Sequence, residues 1–173
     1  SLLSEDKVDC VPQFSPYFHF SNWLANKDKS LDRQYWKEYL EGFTALVELN
    51  IQKPGKTLSI NEPIQEISVY QTLLNKSLTE KLIKYARANK VMFNSIIQFS
   101  WACLLAYYGQ TNDVVYGTTL SGRSYETEGV ERIVGLLIAS IPVRVRLGNN
   151  DSVSDIIKAI HLNFVRSEQH VAV

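Results

Sequence analysis

Apolar and polar positions along this chain alternate between periods of about 3.6 and 2, the spacings of helices and strands. Pro16 suits the first turn of a helix that carries Tyr17, Phe20, Trp23 and Leu24 at helical spacing, with core packing the expected role of the aromatics. Ser30 heads a second helix, with Leu31, Tyr35, Trp36 and Leu40 along one side and Gly42 as its stop. Residues 50–63, rich in Lys, Pro, Gly and Asn, read as a loop, and residues 66–74, β-branched and aromatic, as a strand. Ser77-Leu78-Thr79-Glu80 spells a capping box, in which the Ser77 hydroxyl accepts from the Glu80 amide and the Glu80 carboxylate reaches back to the Ser77 amide. The helix it opens places Leu78, Leu82 and Tyr85 at helical spacing, with Lys81, Lys84 and Arg87 elsewhere around it. Residues 94–108 form a helix that is apolar nearly all round, which predicts burial on most sides, and Gly109 ends it.

The stretch 112–147 organises the rest. Residues 114–120 are a short apolar run, too brief for an independent helix and bounded by turn residues, so they read as a buried strand. The run ends at Ser121-Gly122-Arg123-Ser124, where small residues let the backbone turn sharply or approach a ligand. From Val143 to Leu147 apolar residues alternate with Arg, which predicts a strand with one buried face. Residues 152–166 close the pattern as an amphipathic helix, with Val153, Ile156, Ile157, Ile160 and Phe164 in register. Helices interleave with strands, so the fold class is α/β, a layered domain with a mixed β-sheet packed with helices. No internal repeat and no low-complexity segment interrupts it.

Composition adds bounds. A chain of 173 residues can bury one substantial core. Its 18 basic and 18 acidic side chains leave a formal net charge of +0 with no long block of one sign. That argues against a nucleic-acid or membrane-surface partner held by bulk electrostatics. No secretory signal stands at Ser1, and no uninterrupted apolar run reaches the ~18 residues of a membrane span. Cys10 and Cys103 lack metal-type spacing, and Cys103 sits in an apolar segment where a buried free thiol is expected. A reducing, cytoplasmic setting is the expectation. The chain opens without Met and stops at Val173, so it reads as a piece of something longer, with residues 1–15 as a linker arriving from elsewhere.

Several chemical patterns come close and then fail. Residues 117–124 nearly spell a phosphate-binding loop, with Arg123 in place of the Lys. Such a loop needs a helix immediately after it, and here Glu126, Glu128 and Gly129 follow. A nucleophile elbow around Ser121 needs Gly two residues before and two after, where this chain has Thr119 and Arg123. Acyl transfer usually wants a general base near neutral pKa. The three histidines are His19, His161 and His170, and His161 lies beside core-facing Ile157 and Ile160, where a structural role is expected. No Cys, His and carboxylate cluster has metal spacing. Arg144 and Arg146 offer charge to a phosphate, but on an alternating strand they read as a solvated face.

Two ordered blocks carry a resemblance. Gly117, Thr118, Ser121, Gly122 and Arg123 form the first, and Val134, Gly135, Leu136, Ile138, Pro142, Val143, Arg144 and Val145 the second, across an acidic, Gly-containing link. This arrangement resembles the C-terminal half of a nonribosomal peptide synthetase condensation domain. Tyr17, Phe20 and Trp23, and then Tyr35, Trp36, Leu40 and Gly42, match further family patterns. The departures are His19 for Asp, Leu137 for Phe, Ala139 for Asn and Ser140 for Thr. At 139 an amide able to hydrogen-bond a substrate has become a methyl.

The resemblance implies a chloramphenicol-acetyltransferase-like fold, two α/β lobes forming a V with the active site between them. This chain would supply the C-terminal lobe over residues 16–173, cut short after Glu168-Gln169-His170-Val171. The implied reaction is amide formation, in which an amine on one carrier protein attacks a thioester on another. Each substrate rides on a 4′-phosphopantetheine arm. The family's His-His-x-x-x-Asp-Gly signature occurs nowhere in this chain. No catalytic residue, metal or directly bound cofactor is therefore expected here, and the chain by itself is expected to be inactive. Gly117, Thr118, Ser121, Gly122, Arg123, Gly135 and Ser140 are the implied lining of the substrate tunnel. Implied partners are the N-terminal lobe of the same parent chain, peptidyl carrier proteins and an adenylation domain, with no nucleic acid and no membrane. The implied pathway is secondary metabolism, of the antibiotic or siderophore kind. Two other readings remain open: an ester-forming or stand-alone acyltransferase of the same fold, and a non-catalytic lobe on which carrier proteins dock.

Overall fold

A computed structural model describes residues 15–44, 69–123, 129–148 and 150–171. The elements are α1 (Tyr17–Asn26), α2 (Ser30–Tyr39), α3 (Lys76–Asn89), α4 (Phe93–Gly109), β1 (Asp113–Leu120), β2 (Ala139–Arg146) and α5 (Val153–Ser167). Short 3-10 turns cover Val130–Arg132 and Glu168–His170. The chain divides into two compact units, one of residues 1–41, 117–142 and 165–173, the other of residues 42–116 and 143–164.

In the second unit, α4 turns Ala102 and Leu105 onto Val114, Val143, Val145 and Ile160. Ala86, Val91, Ile96 and Ile157 form a further cluster that ties α3 to α4 and α5, and Phe99 touches both clusters. In the first unit, Phe20 of α1 packs with Val130, Ile133 and Leu137, flanked by Trp23 and Leu24. β1 pairs with β2. The amide of Leu147, just past β2, donates to the carbonyl of Asn112, just before β1, at 2.7 Å, so the pair is antiparallel. An isolated parallel bridge joins Ser15 to Ile133.

The helices and strands fall where periodicity puts them, with several local corrections. The α3 cap is Asn75, whose Oδ1 accepts from the Leu78 amide at 2.8 Å, and Ser77 already lies inside the helix. An Asx side chain one residue before the helix satisfies an orphan amide, which displaces the expected capping box. At the end of α4 the left-handed residue is Gln110 (φ 50°) rather than Gly109. α4 is also barer than its composition predicts: Ile97, Trp101, Leu104 and Tyr108 are exposed along one stripe, Trp101 by 48%. Leu31 of α2 and Val153 of α5 likewise face outward. The expected strand over residues 66–74 is not formed in its described part, where residues 69–75 carry no regular structure and Leu73 is 97% exposed. Strand propensity supplies one edge only; a ladder needs a neighbour, and none of the described strands lies alongside. The expected loop at 50–63, most of the expected linker, and Cys10 lie outside the described residues. Among the described residues, no single helix is long and apolar enough to cross a membrane.

Candidate functional site

All seven residues implied as tunnel lining fall in the first compact unit. Gly117 and Thr118 sit in the second half of β1, and Ser140 sits near the start of its partner β2. Thr118 is half-buried, while Gly117 and Ser140 are exposed. A Cβ added at Gly117 would meet nothing within 4 Å, so the backbone there faces open space.

β1 ends in the turn Ser121-Gly122-Arg123. Gly122 is buried with φ 67°, a left-handed conformation that a side chain disfavours. The exposed Ser121 accepts from the Arg123 amide through Oγ at 3.4 Å. Nη1 of Arg123 donates to the carbonyls of Val130 (3.0 Å), Glu131 (3.4 Å) and Ile133 (3.3 Å). One guanidinium thus gathers the carbonyls of the 3-10 turn and holds the turn after β1 against the segment that leads to β2. The Arg123 side chain is thereby engaged with the protein's own backbone, where the Lys of a phosphate-binding loop would face the phosphate. Gly129 enters the 3-10 turn at φ 72°, with Ser15 Oγ only 2.6 Å from where a Cβ would stand.

The segment after the turn bends at Gly135 and carries no regular structure until β2. Ile133 and Leu137 are buried, while Val134, Leu136 and Ile138 point outward, and Ser140 continues that outward line into β2. Its backbone lies against α1: Tyr17 donates through its hydroxyl to the Leu136 carbonyl at 3.1 Å. The same ring leaves no room for a side chain on Gly135, its Cε2 standing 2.9 Å from an added Cβ. Sequence periodicity assigns Tyr17 to the core; the structure places it, half in solvent, on the candidate site.

A second constellation in this unit carried almost no sequence signal. Asp32, buried in α2, receives Lys27 Nζ on one oxygen at 2.7 Å and His170 Nδ1 on the other at 2.9 Å. Burial pushes the Asp32 carboxyl up, but Lys27 and His170 outweigh it and hold the group below the usual carboxylate range. An ionised carboxylate only accepts, so Nδ1 of His170 carries the proton. The imidazole stacks on Tyr35 with centroids 4.0 Å apart, Tyr35 shares a 2.9 Å hydrogen bond with Ser167, and Trp36 Nε1 donates to the His170 carbonyl at 2.8 Å. These groups clasp the end of the chain onto α2. Tyr35 and Trp36 are legible as an aromatic pair, but Asp32 and His170 lie 138 positions apart and no spacing connects them.

The reading of Arg144 and Arg146 as a solvated face is half corrected. Arg144 is buried and bidentate with Asp113, Nε to Oδ1 at 2.9 Å and Nη2 to Oδ2 at 2.6 Å. It also lies over the Phe43 ring at 5.6 Å. Arg146 is exposed, with Nε 3.6 Å from the same carboxylate. Hydrogen bonding from Arg144, aided by both positive charges, lowers the Asp113 carboxyl against the opposing effect of burial. Desolvation is affordable for Arg144 only because both its carboxylate bonds are made. The guanidinium is therefore committed to the protein rather than to a phosphate. Cys103 is free and half-buried, and burial pushes its thiol up, away from the reactive thiolate. His161 has a buried Nδ1 with no hydrogen-bond partner among the described residues. Among the described residues no group of three or more His, Cys, Asp or Glu could hold a metal ion.

Comparison with known proteins bears on the family and the fold. A family model described as Condensation domain matches residues 3–173. Gramicidin S synthase 2 of Brevibacillus brevis is 35% identical over 168 residues, covering 97% of this chain and 4% of that protein. Surfactin synthase subunit 3 of Bacillus subtilis (strain 168) is 32% identical over 170 residues, 98% of this chain and 13% of its own length. The chain thus spans a small fraction of the curated relatives it matches. Among solved structures, the first condensation domain of the CDA synthetase aligns with a TM-score of 0.69 at 17% identity, over 90% of this chain and 32% of that one. The SgcC5 protein from Streptomyces globisporus aligns with a TM-score of 0.71 at 17% identity, over 92% and 35%. These likenesses bear out the expected α/β fold.

Proposed function

Because this chain belongs to the condensation-domain family, we propose that it is the C-terminal lobe of a domain that forms amide bonds between carrier-bound aminoacyl or peptidyl thioesters. The observation that supports this best is that all seven residues implied as tunnel lining lie in one compact unit, where the Arg123 guanidinium holds the turn after β1 against the segment that leads to β2. Gly117, Thr118, Ser121, Gly122, Arg123, Gly135 and Ser140 line the tunnel on this side. Open backbone at Gly117 suits the slender amide and alkyl stretch of a 4′-phosphopantetheine arm. The arm brings the thioester; this chain orients it, with the exposed Ser140 hydroxyl able to donate or accept beside it. The amine needs a base or an orienting acceptor as it attacks. We assign that group to the other lobe, since the His-His-x-x-x-Asp-Gly signature is absent here. The partners on this reading are that lobe, two peptidyl carrier proteins and an adenylation domain, in the cytoplasm.

The test is reconstitution. The parent synthetase, with both carriers loaded, should release peptide detectable by mass spectrometry, and the 173-residue chain alone should release none. Peptide from the chain alone would overturn the assignment of the base. Half-buried Ala139 removes an amide from the site and keeps an ester-forming reading alive. Supplying a hydroxyl-bearing acceptor beside the amine distinguishes the two, since the amide-forming enzyme should prefer the amine. Loaded carriers that bind without either product would leave the docking reading.

A further inference from the structure

The segment that runs into β2 leaves Val134, Leu136, Ile138 and Ser140 exposed, but nothing in its own sequence holds it at a fixed height. Residues 134–138 belong to no strand and bend at Gly135, so their amides and carbonyls lack a continuous ladder. Two contacts from α1 supply what the ladder does not. The Tyr17 hydroxyl fixes the Leu136 carbonyl at 3.1 Å, and the Tyr17 ring occupies the place of a Cβ on Gly135. Gly135 keeps a negative φ, so its requirement is one of space and not of backbone strain. Tyr17 is itself held: its ring meets Phe20 at a centroid distance of 5.8 Å, and Phe20 is buried among Val130, Ile133 and Leu137. The aromatic pair therefore anchors at both ends of the segment, in the core below and on the backbone above.

We propose that Tyr17 is a positioning residue for the condensation reaction. Through Gly135 and the Leu136 carbonyl it sets the backbone from which Leu136, Ile138 and Ser140 face the substrate. This rests on the reading of that segment as tunnel lining. Tyr17 touches no reacting atom on this account; it acts through the segment, and a small misplacement of an orienting wall is felt in the rate.

The experiment uses the complete parent enzyme with both carriers loaded. Tyr17→Phe keeps the ring and removes the bond to Leu136. Its kcat for peptide release should fall about fivefold, with KM for the loaded carriers and the melting temperature little changed. Gly135→Ala, which forces a methyl into the ring, should lose more, and adding Tyr17→Ala to it should restore part of the loss. That non-additive recovery is one a general destabilisation would not produce. If Gly135→Ala fails to fold, Tyr17→Phe decides by itself. An unchanged kcat in Tyr17→Phe, in an enzyme whose unmutated form makes peptide, overturns the positioning role alone. Absence of peptide from the unmutated parent overturns the functional reading beneath it, and this inference with it.

Discussion

At the scale of residues, three charged groups of this chain are turned on the protein itself. Arg123 gathers three carbonyls, Arg144 grips Asp113 with two bonds, and Asp32 divides its oxygens between Lys27 and His170. Asp113→Ala would strand the buried Arg144 charge. Breaking a buried pair usually costs about 3–5 kcal/mol; because solvent reaches the Asp113 side, about 2–3 kcal/mol is expected here, read from the shift in urea midpoint. An unchanged midpoint would mean that the guanidinium finds water instead. Sequence alone points to the Arg residues but misjudges their surroundings. Alternation says which way a side chain leaves the strand, and it does not say whether a neighbour covers it.

At the scale of elements, helix existence is legible and helix surroundings are not. α3 shows the distinction at its start. Asn75→Ala should lower stability by about 1 kcal/mol, whereas Ser77→Ala should lie within about 0.5 kcal/mol of the unmutated chain, measured by urea unfolding. The reverse order would restore the capping box that the sequence suggests. α4 makes the same point on a larger face. Its composition reads as burial all round, yet Ile97, Trp101, Leu104 and Tyr108 stand in a bare stripe while Ala102 and Leu105 are buried in the core. Residues 69–74 have the residue types of a strand and pair with none of the described strands, because β-structure is a property of two segments and the pattern describes one.

At the scale of the whole molecule, both compact units contain an aspartate held below its ordinary value, Asp32 in one and Asp113 in the other. A depressed folded-state value means that the unfolded chain takes up protons first as pH falls. The stabilisation is complete above the ordinary aspartate value of 3.8 and is lost as pH drops through the lower folded-state values. The melting temperature should accordingly hold steady from about pH 7 to 5 and fall by roughly 5 °C or more below pH 4. Asp113→Asn should flatten part of that descent, and an equal slope in the variant would remove Asp113 as its source.

What the amino-acid sequence determined by itself was local or motif-borne. Periodicity placed five helices and two strands, because burying one face of each element imposes its repeat on the chain. The two ordered blocks identified the family, since the residue types that let a backbone turn at Gly122 or pass beneath an aromatic ring at Gly135 are few. Tertiary structure decided the rest. It brought Asp32 to His170 across 138 positions, set Arg123 over the carbonyls of the next turn, and moved Tyr17 from an expected core position onto Gly135. Each of these joins segments distant in sequence, or depends on what covers a face. The energy of such a contact depends on three-dimensional distance and burial, neither of which is written in the order of residues along one segment.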